Sequence, residues 1–236
     1  MNYIKYIQKE HFNGLIESGS VRVGTLKDYQ DGEYGEMVAD SMEGVKRFSG
    51  SYSSVTSESI KSSKAMSSLI GISEGASVEG LEINNYTVAE PDFYIFSFAQ
   101  GHSIKDHEVW LKEEGYDVAY SIDFPTTFFR KITQQLNRIT PVQFLGLFEV
   151  HYYDEKNGMD FFDPLNGHPA FCLKDYDGFS TQKEMRAVWE PLNDGEIKPI
   201  NLNVEGLGRY VDLKMIIPRL NMISRYFRYP DQIKIG

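Results

Sequence analysis

Apolar and polar positions alternate with period two over Tyr3–Ile7 and again over Val21–Thr25, and between them Phe12, Leu15 and Ile16 fall at i, i+3 and i+4 before Gly19. Period two marks a half-buried strand, and the second spacing marks a helix with one apolar face. The chain is therefore predicted to open as strand, helix, strand, with the helix over Lys9–Ser18 and Gly19 as its C-terminal stop. Runs at Leu69–Ile72, Leu81–Val88, Phe93–Ala99, Asp117–Ile122, Leu145–Tyr153, Ala170–Lys174, Glu184–Trp189 and Tyr210–Ile217 read as further strands. Helical spacing returns over Ile104–Glu114, which carries Trp110 and Leu111 on one face. It returns again from Pro125 to Arg138, where Phe128, Phe129, Ile132 and Leu136 face inward and the proline suits the first turn. Pro218–Phe227 reads as a closing helix. Strands outnumber helices and do not alternate with them as βαβ units require. The expected fold is α+β, with a bent, mainly antiparallel sheet, whole or split into two, flanked by a few helices. Residues 1–236 are expected to form one domain with Phe96, Trp110, Phe128, Phe148 and Trp189 in a shared core.

Two stretches break the pattern. Residues 26–44 are turn-rich, and their second part holds Asp31, Glu33, Glu36, Asp40 and Glu43 with no Lys or Arg. Residues 49–68 contain ten serines and one aromatic, Tyr52. So little apolar area offsets ordering entropy poorly, and this segment is expected to be a mobile loop with a short helix around Glu58–Ser67.

Composition bounds the rest. The 236 residues are 41% hydrophobic and 14% aromatic, enough for a substantial core, which rules out global disorder. No run of about 18 apolar residues points to a membrane span, and the first residues carry no secretory signal pattern. A single cysteine, Cys172, excludes an intrachain disulfide and fits a reducing compartment, so a cytoplasmic protein with no membrane partner is expected. The net charge of −10 is uneven: from Arg209 onward six Lys and Arg face two Asp, leaving about −14 on the rest. A polyanion would meet attraction only at that C-terminal part.

Familiar chemical signatures are missing. No GxGxxG or GxxxxGK[ST] occurs, so Rossmann and P-loop chemistry are unsupported. His102 and His107 are off the i, i+4 spacing that puts two imidazoles on one helix face, and His168 and Cys172 have that spacing but no second pair, so no metal site is expected. Asp160, Asp163 and Glu184 with Mg²⁺ are the carboxylates a nuclease would draw on, without diagnostic spacing. Cys172, between Phe171 and Leu173, reads as a core cysteine.

Three motifs follow one another along the chain: Tyr3-Ile4-Lys5-Tyr6 with its helix, glycine and Arg22-containing strand; Phe96-Ser97-Phe98 followed by Trp110; and Gln182-Lys183-Glu184-Met185-Arg186. In this order they resemble a widespread, poorly characterised family of bacterial and phage proteins, across nearly the whole chain. More distantly the order is similar to that of the ADP-ribosyltransferase superfamily. That resemblance implies NAD as substrate, with Glu184 and Gln182 as a Gln-x-Glu catalytic pair and Ser97 as the strand serine of the nicotinamide pocket. Lys5 or Tyr6 takes the first-strand position that Arg or His holds elsewhere, unless Arg22 on the second strand serves.

The residues support a reading of their own. Glu184 begins a strand just after a polar turn, and a carboxylate there would stabilise the positive charge that builds on a ribose as its glycosidic bond breaks. Arg186, two residues on, shares its face and would either pair with Glu184 or grip a pyrophosphate, while Met185, Ala187 and Trp189 form a core face. Tyr6 and Tyr29 would stack on an adenine or nicotinamide ring. The leading expectation is an ADP-ribosyltransferase of a toxin, phage-defence or counter-defence type acting on a protein or nucleic acid. Glu184, Arg186, Ser97 and the first strand are then expected to meet in one cleft. The alternatives are a non-catalytic protein whose acidic 31–44 segment fills a basic groove on an inhibited partner, and the nuclease.

Overall fold

The computed structural model describes residues 2–30 and 38–217. The predicted helix at 218–227, the basic C-terminal charges beyond Lys214 and the acids Asp31, Glu33 and Glu36 lie outside them.

The chain runs β1 (Tyr3–Ile7), α1 (Lys9–Ser18), β2 (Ser20–Thr25), α2 (Leu26–Gln30), β3 (Val45–Thr56), α3 (Ser57–Ser62), α4 (Lys64–Leu69) and β4 (Ser77–Ala89). It continues through β5 (Tyr94–Gln100), α5 (Ile104–Glu114), β6 (Val118–Ile122), α6 (Pro125–Leu136), β7 (Val142–Glu149) and β8 (His151–Tyr153). Then come β9 (Leu173–Asp175), α7 (Tyr176–Phe179), β10 (Glu184–Pro191), β11 (Ile200–Asn203) and β12 (Val211–Ile216). The architecture is α+β with mostly antiparallel pairing, split into several sheets. No helix among the described residues is long and apolar enough to cross a membrane.

The main sheet is forked. β10 runs along one edge of β5 from Glu184 opposite Ala99 to Trp189 opposite Tyr94, and β7 lies beyond it. The other edge of β5 is shared by two strands. β2 pairs only at Gly24–Ile95 and Thr25–Tyr94, and β1 only at Ile4–Ala99 and Tyr3–Gln100. Between these contacts the strands diverge, β2 to β11 and β1 to β6 and β12, so the stretch Phe96–Phe98 keeps an open edge. α1 bridges the two branches. Its terminal Gly19 takes φ +69 against the Val204 carbonyl, where an added Cβ would sit 1.9 Å from that oxygen, so only glycine passes there.

One face of the fork is the main core, where α6 lays Phe128, Phe129, Ile132 and Leu136 against Phe96, Phe98, Met185, Ala187 and Trp189. Each such side chain gains about 1.5–3 kcal/mol from burial. The Trp189 indole N–H donates to the Thr133 hydroxyl at 2.7 Å, which satisfies its one polar atom. The expectation of a single shared core holds for Phe96, Phe128 and Trp189 but not for the other two. Phe148 stands opposite Arg186 in register and packs on the far face with Phe171, while Trp110 joins a small cluster around Tyr6 and Ile4.

The serine-rich stretch is a correction. It forms the end of β3 and the helices α3 and α4, and the chain returns along β4, paired with β3 from Val45–Ala89 to Thr56–Ser77. Its few apolar residues suffice because they all point inward: Val55, Ile60 and Met66 join Phe48, Ile83, Met159 and Phe161 in a second core. The serines serve as caps, Thr56 and Ser59 closing a capping box on α3 and Ser63 accepting the Met66 N–H at the start of α4. The predicted strand at Leu69–Ile72 is not one: Leu69 ends α4 and no strand begins before Ser77. The predicted strand at Leu145–Tyr153 is broken at Val150, and its last piece pairs parallel with β9 instead of staying in the main sheet.

Truncating Trp189, fully buried at the α6 interface, to Ala should cost about 3–5 kcal/mol in urea unfolding. A loss under about 1 kcal/mol would mean that the α6–sheet layer is not the core on which folding depends.

Candidate functional site

The notch of the fork is a cavity of about 340 Å³. Strand alternation decides who enters it. On β10, Met185 and Ala187 turn to the main core, so Glu184 and Arg186 turn to the opposite face and line the notch. Ser97 stands opposite Arg186 on β5, where the open edge lies. Lys5 from β1 closes that edge by donating its ammonium to the Ser97 carbonyl at 2.5 Å, with the Phe96 ring 4.8 Å away. Arg22 and Tyr29 come from the other branch, and Gln182 from the turn before β10. All eight residues singled out in the sequence, Tyr6 being the last, thus line one cavity.

Glu184 is pinned at both backbone atoms and at its carboxylate. Its N–H donates to the Tyr152 hydroxyl at 3.0 Å, and its carbonyl accepts from the Val150 N–H at 3.0 Å. Its Oε1 accepts from the Arg186 Nε–H at 2.8 Å and its Oε2 from the Lys174 ammonium at 3.2 Å, with the Ser97 hydroxyl as a further donor. Burial pushes this carboxyl up, but Arg186, Lys174 and Ser97 outweigh burial and hold it well below the usual carboxylate range. A carboxylate has about four lone-pair sites, so roughly one is left for another donor. Lys183, just before it, takes φ 48, a left-handed turn between Gln182 and Glu184. The Gln182 amide oxygen lies 3.5 Å from the Lys174 ammonium.

Arg186 realises the pairing alternative, and does so in the interior. Its side chain is 1% exposed; Nη1 donates to Glu43 and to the Phe171 carbonyl, and Nη2 donates to the second Glu43 oxygen at 2.8 Å. A guanidinium so committed orients Glu184 and is not available to grip a pyrophosphate. Glu43 is 1% exposed, and Asp40, which accepts the Met42 N–H, is also buried, so these two acids of the 31–44 segment do not lie on its surface. Burial, opposed by Arg186 and Lys174, leaves the Glu43 carboxyl above its ordinary value.

Two further cations line the cavity. Arg22 holds Asp28 through Nη2 at 2.8 and 2.9 Å. Burial brings the Lys5 ammonium down to about 8, with Glu184 opposing and Arg22 adding to the shift. Aromatic rings form the wall: Tyr6 and Tyr116 each stack on Trp110, at 6.0 and 5.6 Å between centroids. Burial and then Asp106 push the Tyr6 hydroxyl up to about 12, and that hydroxyl meets His102 Nδ1 at 3.1 Å. Tyr29 lies over Gly24, where a Cβ would stand 2.7 Å from its ring.

Sequence reasoning missed Glu43, Lys174 and Tyr116. Glu43 and Arg186 are 143 positions apart, and no local pattern marks such a pair. Among the described residues no group of three or more His, Cys, Asp or Glu is placed to hold a metal ion, and Asp160 accepts from Tyr52 at 2.9 Å instead of joining Glu184. Cys172 is a core thiol, pushed up to about 12 by burial.

Models of known protein families, curated proteins and solved structures show no match to this chain.

Lys5 carries the charge an anionic ligand would meet only while protonated, and its value near 8 sets the window. Affinity for ADP, whose own phosphate ionisation is complete above about pH 7, should be highest near pH 7 and decline as pH rises through 8. Calorimetry of wild type and Lys5→Met would check this; a flat wild-type profile, or no binding, would remove Lys5 from a ligand site.

Proposed function

We propose that the protein is an ADP-ribosyltransferase-like enzyme that cleaves the nicotinamide–ribose bond of NAD at the forked-sheet cavity. One observation carries the reading: residues from β1, β2, β5, β10 and the turn before β10, chosen from sequence order alone, face one cavity around a buried, charged Glu184. A chance set of strand residues has no reason to share a notch.

The chemistry asks for four things, and the residues fit each. A planar heteroaromatic ring needs an aromatic surface, which Tyr6, Tyr29 and Trp110 supply. A pyrophosphate needs a cation; Lys5 on the cavity wall would supply it, since Arg22 is paired with Asp28 and Arg186 is committed in the interior. The developing oxocarbenium ion needs a fixed negative charge, and Glu184 holds one in a site where little reorganisation is possible. The incoming nucleophile needs orientation, and Gln182, which lines the cavity with Glu184, would bond it.

In the reaction the C1′–N1 bond breaks and its electron pair leaves with nicotinamide. A nucleophile (water or a group on a protein or nucleic acid) donates a pair to C1′ and gives up its proton to solvent or a nearby base. Glu184 accepts a hydrogen bond from a ribose hydroxyl through its remaining lone pair, the proton staying on the ribose oxygen, and remains ionised throughout.

Glu184→Gln keeps the shape and removes the charge, so nicotinamide release from NAD should fall by about 10²-fold or more, with the circular dichroism spectrum unchanged. Wild-type protein that binds no NAD and releases no nicotinamide in the presence of cell lysate would refute the reading.

A further inference from the structure

We propose that Glu43 is a positioning residue for Glu184, acting through Arg186. The role rests on the reading of Glu184 as the catalytic carboxylate, but the contact itself can be tested without activity.

Glu43, Glu184, Arg186 and Lys174 are buried together, two carboxylates against two cations. Arg186 divides its guanidinium: the Nη1/Nη2 fork goes to Glu43 and the Nε–H to Glu184. An arginine facing a single buried carboxylate favours two parallel bonds to it. Were Glu43 absent, Glu184 would be the anion left to take that fork. Its carboxylate would turn from the single Nε contact toward a bidentate one, away from Lys174 and with fewer lone pairs toward the cavity. Glu43 therefore does what a second carboxylate on the guanidinium can do: it occupies the fork and leaves Glu184 held at one edge.

The segment bearing Glu43 belongs to no strand of the main sheet and is held by its own bonds. The Glu43 carbonyl accepts from the Gln30 amide, and its N–H donates to the Asp40 carbonyl. Asp40 in turn bonds the Tyr29 carbonyl through its own N–H. Gly44 next to it takes φ +73 against Leu26, where a Cβ would stand 3.1 Å from the leucine methyl. Glu43 is thus carried by the same local structure that sets Tyr29 on the cavity wall.

The test uses the full chain with Glu43→Gln and Glu43→Asp. For Glu43→Gln, kcat for nicotinamide release should fall about 10–100-fold, the range for partners that orient an active group, while KM for NAD moves less than about threefold. Glu43→Asp keeps the charge at shorter reach and should recover part of the loss. The Arg186 Nε–H nitrogen–proton resonance, protected from exchange in wild type, should shift in Glu43→Gln. A lower melting temperature with unchanged kcat would show a merely structural pair and overturn the proposal, even if the Arg186 signal shifts. Should Glu43→Gln fail to fold, Glu43→Asp decides by the same two readouts. An inactive wild type would end the transferase reading, and an unmoved Arg186 resonance would end the clamp as well.

Discussion

The buried Arg186 guanidinium is the constraint from which the rest of the site follows. An unpaired charge in the interior costs several kcal/mol, and removing one member of a buried pair costs about 3–5 kcal/mol, so an arginine placed inside must be surrounded by acceptors. Here those acceptors come from three places: Glu184 on its own strand, the Phe171 carbonyl and Glu43 from the segment before β3. Glu43 is remote along the chain from the other two, and only the fold brings it to the guanidinium. The cluster therefore ties the forked sheet to the β3–β4 region and leaves Glu184 with little freedom.

The fork supplies the space. A continuous antiparallel sheet would have satisfied Phe96–Phe98 with backbone partners and left no notch. Since β1 and β2 each pair through the backbone with only two residues of β5, the open edge needs another partner, and the Lys5 ammonium on the Ser97 carbonyl provides one. The same lysine is a cation at the cavity wall. One residue thus answers the hydrogen-bonding demand of the backbone and would also meet the electrostatic demand of the proposed nucleotide site, and burial is what brings its protonation near neutral pH.

Much of this was legible in the sequence because it depends on short-range periodicity. The strands at 3–7, 94–100, 118–122 and 184–191 and the helices at 9–18, 104–114 and 125–136 follow from alternation, capping glycines and Pro125, which operate within a few residues. The site residues were legible through the order of their motifs, and Arg186 through the face it shares with Glu184. What was not legible depends on partners far away. Serine richness at 49–68 says little about order when Val55, Ile60 and Met66 meet Phe48 and Phe161 in a core that no window contains. Glu43 looked like one acid among five because solvation is the ordinary fate of such a run, and only the fold supplies the arginine that draws it in.

The net charge of −10 and the cavity chemistry then have to be reconciled. An acidic surface repels an anion at long range, but at about 0.1 M salt that field fades over about 10 Å. Inside the notch the four buried charges of Glu43, Glu184, Arg186 and Lys174 cancel, and Asp28 offsets Arg22. Lys5 then remains as the cation of the wall that these carboxylates leave unbalanced. Its attraction for an anion about 4 Å away is about 4 kcal/mol at an effective dielectric of 20, against about 1 kcal/mol in water. Recognition on these terms is decided at contact and not by steering. It favours a ligand that also offers flat rings to Tyr6, Tyr29 and Trp110, because one ammonium alone would not distinguish a nucleotide from any other small anion.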